Sequence, residues 1–337
     1  MDKSTAVCFG YAKAAGLLRK AFVKDRARLL FEQESLADLW TLLFKQPAPL
    51  VPETLLARQI EERAFSNFLS QYLFFLNQYD KPPLILAEKI KRFEVENLKE
   101  IVGALFAGET ELPRLLDLQG FSKINTKAWP DIGKMTAGTD YEWLNKTDKE
   151  NGQQQIEFML DLKLVRENWK AIHRYHGDDR EGHEKLFLDE FVIKNIIWAL
   201  RLKLYYDMTK EQIISNLFYV TDAPDKADPL AGPAIKVLDF DVNRYSDWEN
   251  WKFAKYLNPH ESGQTWCVDP VWIERRYIER QAQMVEQIFH RYNMEDVALA
   301  AWFQIKLYEL TCIRTAVESL RLNIGSKEAM EAVGING

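Results

Sequence analysis

The sequence contains one segment three times, and this repetition limits the chain to folds that are built from similar units. The copies begin at Asn97, Asn195 and Cys312, and they align without gaps as NLKEIVGALFAGETELPRL, NIIWALRLKLYYDMTKEQI and CIRTAVESLRLNIGSKEAM. Thr209 and Ser326 stand at the same place in the second and third copies. Their hydroxyls can accept hydrogen bonds from the free backbone N–H groups at the start of a helix. The repeat therefore predicts a helix, a tight turn and a capped second helix.

Helical periodicity extends over most of the chain, because apolar residues recur at steps of three and four and few prolines or glycines interrupt them. The sequence HGDDREGHE at 176–184 is polar throughout, and we expect it to form a solvated turn. The predicted helices cover residues 10–32, 36–44, 52–76, 88–106, 154–175, 186–206, 210–218, 270–292 and 294–322. The chain is therefore predicted to be all-α.

A chain of 337 residues is too long for one hydrophobic core, since single cores stop growing at about 250–300 residues. Irregular sequence rich in glycine and proline separates the first and second copies of the repeat. The segment 221–233 contains three prolines and no core-forming pattern, which is typical of a linker. We therefore predict three helical units at 1–119, 120–233 and 234–337, the second of which ends in this proline-rich linker.

The charge balance argues against nucleic acid as a partner. The chain has 44 Lys and Arg against 50 Asp and Glu, and the two signs are interleaved. Proteins that bind nucleic acid present a basic surface to the phosphates. We therefore expect no nucleic-acid partner.

No apolar stretch reaches the roughly 18 residues that a membrane span needs, since those at 68–76 and 196–206 are short and interrupted. The first twenty residues lack the apolar core of a secretory signal. The cysteines Cys8, Cys267 and Cys312 form no CxxC pair, which predicts reduced, buried thiols in a cytosolic protein. Any work at a membrane is then expected to be peripheral.

The repeat itself argues against an active site at Glu94, Glu96 and Asn97. Paired acids beside an amide can perform acid–base chemistry, but the second copy has Val192 at the position of Glu94 and the third copy has cysteine at that of Asn97. We therefore predict no catalytic site, and we expect Asn97 and Asn195 to bridge helices. Neither GxxxxGK[ST] nor GxGxxG occurs, so no nucleotide or other cofactor is expected.

One cluster has the residue types of a metal site: His173, His176 and His183 with Asp178 and Asp179. No fourth ligand follows at a familiar spacing, and the favoured interpretation is a polar loop with histidines at helix ends, so that no metal is predicted. The same acids resemble the DDxxD motif of helical isoprenoid synthases, but the fifth position of DDREG is glycine and no second metal motif follows.

Two further sets of side chains, one aromatic and one basic, are candidates for packing or for contact with a partner. The aromatic run Tyr245, Trp248, Trp251, Phe253 and Tyr256 is expected to pack in the core of the third unit. Basic residues on the last long helix of the second and third units are candidates for contact with an acidic partner, although a solvated helix face explains them as well. These candidates are Arg201, Lys203, Arg314 and Arg321.

Three helical units, with ENLKEI near the end of the first, NIIWALRLKLYYDMTKEQI closing the second and YELTCIRTAVESLRLNIGSKEAM in the third, resemble the C/d subunit family of V-type and A-type rotary ATPases. The opening YAKAAGLLRKAF is similar to the entry helix of that family. The resemblance covers nearly the whole chain. Cys312, the tract at 146–155 and the segment 221–233 have no match in the family pattern.

The resemblance implies a funnel of three similar helical bundles around a pseudo-threefold axis. It further implies a non-catalytic rotor subunit without a cofactor, peripheral at the cytoplasmic face of the membrane. The implied partners are the central-shaft subunits and the proteolipid c-ring, between which the subunit transmits torque. Two alternatives remain from the sequence: an unrelated helical scaffold protein, or an all-helical isoprenoid-type enzyme.

Overall fold

Helices form the regular structure of residues 1–146, 152–261 and 263–335, which are the residues that the computed structural model describes. Within these ranges there are thirteen α-helices and no strand, so the all-α prediction is confirmed. The first five helices are α1 (Lys3–Leu18), α2 (Asp25–Phe31), α3 (Leu36–Phe44), α4 (Glu53–Leu76) and α5 (Leu84–Ala107). The next five are α6 (Ile132–Thr136), α7 (Gln153–Ile172), α8 (Gly177–Tyr205), α9 (Lys210–Ile214) and α10 (Ala231–Val237). The last three are α11 (Pro270–Arg291), α12 (Val297–Leu322) and α13 (Ser326–Ala332).

The helix boundaries differ most from the predicted ones at two places, and by about four residues at the start of α5 and the end of α9. Residues 10–32 form two helices instead of one, and the chain between them passes through a left-handed φ of +53° at Lys24. The predicted solvated turn at 176–184 is wrong, because α8 begins at Gly177 and both Asp179 and His183 are buried. Polar residues can be buried when they meet polar partners. Asp179 meets such partners, and they lie far away along the chain.

Side-chain caps begin several of the helices, as the sequence suggests. Ser35 accepts from the backbone N–H of Asp38 and begins α3. Thr209 and Gln212 form a reciprocal capping box at α9, which satisfies two backbone donors at once. The corresponding prediction for Ser326 is wrong, since Gly325 occupies the N-cap of α13 and no side chain bonds there.

Six long helices follow one another in three consecutive pairs, α4 and α5, α7 and α8, and α11 and α12. Helix α5 packs along α7 and α11 along α12, with a smaller contact between α7 and α8. Helix α12 also packs on α4 and α1, and α8 packs on α11. The largest hydrophobic core lies where these helices meet, around Phe68, Tyr72, Phe93, Trp302 and Phe303, whose rings contact one another. Elements that are distant in the sequence therefore share one core.

Two smaller cores flank the large one. One is formed by α2, α3 and the first half of α4, together with the second half of α12 and α13. The other lies between α5, α6 and α7. Helix α12 contributes to both the largest core and the first of these, so its removal would open both.

The aromatic run of the third unit packs in the core, as predicted. The Trp248 side chain has no exposed surface and its indole N–H donates to the carbonyl of Asp241. Tyr256 is buried, and Tyr245, Trp251 and Phe253 pack against the same core from partly buried positions. The burial of cysteines is predicted correctly only for Cys312, because Cys8 and Cys267 are exposed; all three are free thiols.

The proline-rich segment 221–233 contributes core residues, contrary to the expectation for a linker. Leu230 and Ala231 are fully buried. The carboxylate of Asp228 accepts from the backbone N–H groups of Val220, Thr221, Leu230 and Ala231 at 2.8–2.9 Å. Asp228 thus fixes the segment, because its carboxylate accepts from backbone N–H groups that have no acceptor within a helix.

The repeated asparagines have the same local role in their two copies. Asn97 donates to the carbonyl of Leu116 and accepts from its backbone N–H, at 2.9 and 2.7 Å. Asn195 makes the same two bonds with Phe218, at 2.8 and 2.9 Å. Each amide therefore fastens its helix to the extended chain beyond it, and not to a second helix as expected. In the third copy Tyr308, one turn before Cys312, donates instead to the carbonyl of Val333 at 2.8 Å.

Candidate functional site

A cavity of about 810 Å³ lies between α1, the start of α2, α8, α11 and α12. This volume lies in the upper part of the range of small-molecule pockets, which is roughly 300–1,000 Å³. Its wall is largely apolar. The aliphatic and aromatic side chains that line it include Ala15, Leu18, Ile193, Ile197, Val285 and Phe289.

One wall of this cavity carries charge, at the place where α5 and α8 meet α12. The carboxylate of Glu190 accepts from Lys194 Nζ at 2.6 Å and from Gln304 Nε2 at 3.1 Å. The guanidinium of Arg92 lies 3.6 Å from the same carboxylate. We call Arg92, Glu190 and Lys194 the charged wall.

A third cation stands behind the charged wall. Lys89 lies one turn before Arg92 on α5, and among the described residues it forms no ion pair of its own. Burial is the main cause that lowers the pKa of Lys89, and Arg92 and Lys194 add to it. Burial would raise the pKa of Glu190, but Lys194, Arg92 and Lys89 together lower it to about 2. Glu190 is therefore ionised and is outnumbered by cations.

The mouth of the cavity is also charged. Arg19 and Arg26 line it at the turn between α1 and α2, and neither forms an ion pair within the described part of the chain. The acids opposite them are already occupied. Glu286 is paired with Lys24, and Glu274 accepts from Arg201 at 2.5 Å.

None of the four basic residues predicted to contact a partner lines the cavity as the structure describes it. Arg201 ties α8 to Glu274 of α11, and Lys203 donates to the carbonyls of Leu238 and Phe240 at the end of α10. Their contact with a partner stays a prediction. We find both of these side chains engaged inside the chain.

The other two basic candidates lie on α12. Arg314 is 75% exposed and lies 3.5 Å from Glu61, whereas Arg321 pairs with Glu318 on its own helix at 2.7 Å. Exposed pairs of this kind contribute little to stability. Arg314 is thus the most accessible of the four, and its contact with a partner is equally a prediction.

The acids of FEVENLKE have separate structural partners. Glu94 is buried and accepts from the hydroxyl of Ser122 and the backbone N–H of Lys123, both at 3.1 Å. Glu96 lies 3.8 Å from Arg92 on the same helix. Together with the bonds of Asn97 to Leu116, these contacts hold the chain that follows α5 against the helix.

The histidine cluster is spread over separate environments. His173 donates from Nδ1 to the carbonyl of Trp169, 2.9 Å away, and its Nε2 lies 3.4 Å from Glu184. His183 is fully buried, and burial followed by the nearby Lys89 lowers its pKa to about 3, so it is neutral. In the described ranges, no three side chains of His, Cys, Asp or Glu are grouped so that they could hold a metal ion.

Asp179 and Asp296 meet at a second polar centre, which sequence analysis missed. Lys3 Nζ lies 2.8 Å from Asp179 and 3.2 Å from Asp296, and both acids are buried. Tyr79 donates to Asp296 at 2.9 Å, and Tyr175 donates to it at 3.4 Å. Since Tyr79 and Tyr175 follow α4 and α7, and Asp296 begins α12, this buried junction joins the turns of all three helix pairs.

Charge at the buried junction is the reverse of that at the cavity. Burial opposes the charge on Lys3, but Asp179 and Asp296 outweigh it and raise its pKa. Burial and the neighbouring Asp179 raise the pKa of Asp296. Asp179 also accepts from the backbone N–H of Val297 at 3.3 Å, so an acid of α8 caps the start of α12. Asp179 of DDREG is therefore engaged inside the chain and is not free to hold a metal against a diphosphate.

A signal for this junction exists in the sequence. The segment from His173 to Asp179 reads HRYHGDD, and the segment from His290 to Asp296 reads HRYNMED. Each begins 22 residues before the repeated position, at Asn195 or Cys312. Extending the repeat upstream without gaps would have paired Asp179 with Asp296.

A protein-family model described as "ATP synthase (C/AC39) subunit" matches residues 11–232, which is more than half of the chain. The chain belongs to this family. Members of the C/AC39 family are accessory subunits of V/A-type ATPases and not the catalytic ones. A relative from Treponema pallidum (strain Nichols), named only "Uncharacterized protein", is 24% identical over 324 residues, which cover 95% of this chain and 94% of the relative.

Among the described helices, none combines the length and the apolar character that a membrane span requires. The matched residues include α5 and α8, and therefore the charged wall of the cavity.

Proposed function

We propose that this C/AC39 subunit is a rotor adapter of a V/A-type ATPase. In this role it is seated on the proteolipid ring at the cytoplasmic face of the membrane and receives the central shaft, so that ATP hydrolysis or synthesis is coupled to ion movement. The proposal includes three similar helical units, at 1–119, 120–233 and 234–337, arranged as a funnel. Membership of the family is the observation that carries it.

The cavity supports the part of the proposal that concerns the shaft. A helix is about 10 Å across with its side chains and rises 1.5 Å per residue. A volume of about 810 Å³ therefore accommodates roughly two turns of a helix. The apolar wall provides the contact area, and the charged mouth and wall provide orientation.

An adapter needs a second surface, and exposed apolar side chains at both ends of the long helices support one. The paired helices α5, α8 and α12 each end with such a side chain, at Phe106, Tyr206 and Leu322, which are 40%, 66% and 63% exposed. At the opposite end, Phe74 and Met294 are 42% and 65% exposed. Large apolar side chains left in solvent are of the kind that contacts with other proteins bury.

The test is to tag the chain in its native cells, solubilise the membranes gently and identify the proteins that copurify. We expect shaft and ring subunits of a rotary ATPase, and we expect high salt or chelation to remove the chain from membranes without detergent. Recovery without any rotary ATPase subunit would overturn the proposal.

A matched pair of variants locates the shaft contact. Ala282→Trp places a large ring in the wall of the cavity, whereas Gln283→Trp places the same ring on the exposed face of α11. We expect Ala282→Trp to lose the shaft subunits and to retain the ring, and Gln283→Trp to retain both. Equal recovery of the shaft with both variants would show that it binds elsewhere.

A further inference from the structure

We infer that Arg92 and Lys194 bind a carboxylate side chain of the helix that enters the cavity. This inference rests on the proposed function, since it names the chemistry by which the shaft would be held there. It concerns residues other than the basic side chains that the sequence singled out.

The first support is the local balance of charge. Arg92, Lys194 and Lys89 surround Glu190, and no other acid of the described residues accepts from Lys194. Glu190 and Glu96, which lies 3.8 Å from Arg92, supply two carboxylates against these three basic side chains, so the charged wall keeps an excess of positive charge. An incoming carboxylate would meet a favourable field there, whereas an incoming cation would be repelled.

The second support is that the two cations can change partners. The side chains of Arg92 and Lys194 are 40% and 45% exposed although they lie in the wall of the cavity. Lys194 is the exposed end of its pair, and Glu190 keeps Arg92 and Gln304 as partners, so Lys194 can turn from Glu190 to a new carboxylate. Glu190 itself is only 12% exposed and keeps its bond from Gln304.

The third support is the setting of the charged wall within the cavity. Ile193 and Ile197 lie on α8 beside Lys194 and line the same cavity. An incoming helix that packs apolar side chains against Ile193 and Ile197 would bring a neighbouring side chain of its own close to Lys194. Exclusion of water by the apolar contact would strengthen the ion pair, since charges interact more strongly at a lower dielectric.

Other charged groups of the chain are less suited to this role. Arg201 is held by Glu274 and Lys203 by two carbonyls, so that both would have to leave internal partners. Lys3 lies between two buried acids and is not part of the cavity wall. Arg19 and Arg26 line the same cavity but lie at its mouth, whereas Lys194 stands on α8 beside the apolar side chains of Ile193 and Ile197.

The test measures binding of the purified chain to the purified central-shaft subunit of the same ATPase, by calorimetry over a range of salt concentrations. The variants are Lys194→Met and the double variant Arg92→Met with Lys194→Met. Lys170→Met is the matched control, because Lys170 is a 65% exposed cation paired on its own helix and lies outside the cavity. Lys194→Arg keeps the charge.

We expect Lys194→Met to weaken binding about tenfold and the double variant about a hundredfold, with a shallower dependence on salt. Lys194→Arg and Lys170→Met should bind within about twofold of the unaltered chain. Far-UV circular dichroism and melting temperature must be unchanged in all variants, so that a loss of binding is not a loss of fold.

Two outcomes separate this inference from the proposal on which it rests. If the unaltered chain does not bind the shaft subunit, both fail together. If the unaltered chain binds and the double variant binds equally well with the same dependence on salt, the carboxylate site is wrong and the proposed function stands.

Discussion

The buried junction and the charged wall contain the same kinds of side chain in opposite proportions. At the junction one lysine, Lys3, is shared by two buried acids, and one of these acids, Asp296, also accepts from two tyrosine hydroxyls. At the charged wall three cations share Glu190, and two of them stay substantially exposed. The difference indicates that the junction holds helices together, because its two acids are buried and engaged with partners inside the chain. The charged wall has charge left over for a partner.

Removing the cation of the junction should produce the largest effect on stability. Lys3→Met leaves Asp179 and Asp296 buried next to each other without a counter-charge, and breaking a buried pair costs about 3–5 kcal/mol. Because the side chain of Lys3 is 54% exposed, we expect the free energy of unfolding to fall by about 2–3 kcal/mol. Denaturant unfolding measures this. Lys13→Met, an exposed lysine on the same helix, is the control and should be neutral.

A double variant checks the cause of that loss. Adding Asp179→Asn to Lys3→Met removes the repulsion between the acids, and should restore part of the lost stability. If the double variant is less stable than Lys3→Met alone by the full cost of Asp179→Asn, the two sites are independent and the junction is not a coupled unit.

Adding a methyl group where two helices of the junction touch should have the next largest effect on stability. A Cβ at Gly182 would lie 2.9 Å from Cγ2 of Val297, at the contact between the starts of α8 and α12. We expect Gly182→Ala to lower the free energy of unfolding by about 1–3 kcal/mol, as overpacking does. Gly16→Ala is the matched control on α1, where nothing lies within 4 Å. It should stabilise the chain by about 0.5 kcal/mol, because alanine is the better helix former.

Loss of one cation from the charged wall should cost much less stability than loss of Lys3 from the junction. Lys194→Met removes one of the cations around Glu190, which keeps Arg92 and the bond from Gln304. We expect the free energy of unfolding to change by less than about 0.5 kcal/mol. A thermal melt that shows a loss as large as that of Lys3→Met would remove the distinction between the two regions.

The smallest expected effect is a dependence on pH at the junction. Burial and the neighbouring acids Asp179 and Asp296 raise the pKa of Glu295 to about 7, although Lys3 opposes this. The proton on Glu295 therefore contributes stability that is complete below about pH 4.5 and is lost as the pH rises through 7. Glu295→Gln should be slightly more stable than the unaltered chain at pH 8 and no more stable at pH 5. If Glu295→Gln raises the melting temperature by the same amount at pH 5 as at pH 8, this assignment is contradicted.

The helices and their caps follow from the sequence where local rules decide them. The bounds of α3 were predicted to the residue, and those of α4, α11 and α12 within three residues. Local rules failed at HGDDREGHE, where a polar run became the first turns of α8. Asp179 is buried there because Lys3, 176 residues away, meets it. No local pattern contains such a partner.

The family followed from the sequence, but the cavity did not. A repeat and three phrases pointed to the C/AC39 family, whose model matches the chain. Of the cations chosen from sequence, Arg201, Lys203 and Arg321 lie close to the ends of their helices, whereas Arg314, like Arg92 and Lys194, lies well inside its helix. Which face of a helix lines a cavity depends on how α1 and α11 pack across it. This arrangement is tertiary and leaves no periodic signal.

The position of α12 has a consequence for how the chain is made. Helices α2, α3 and α4 bury Leu30, Leu39 and Ile60 against a core that Ala316 and Val317 complete. A ribosome synthesises about 250 residues between Ile60 and these partners, which at about 5–20 residues per second takes many seconds. During that time the nascent chain exposes an apolar surface that cannot close. The organism must therefore protect the first helices during translation, and a chaperone that binds nascent chains should be found on them.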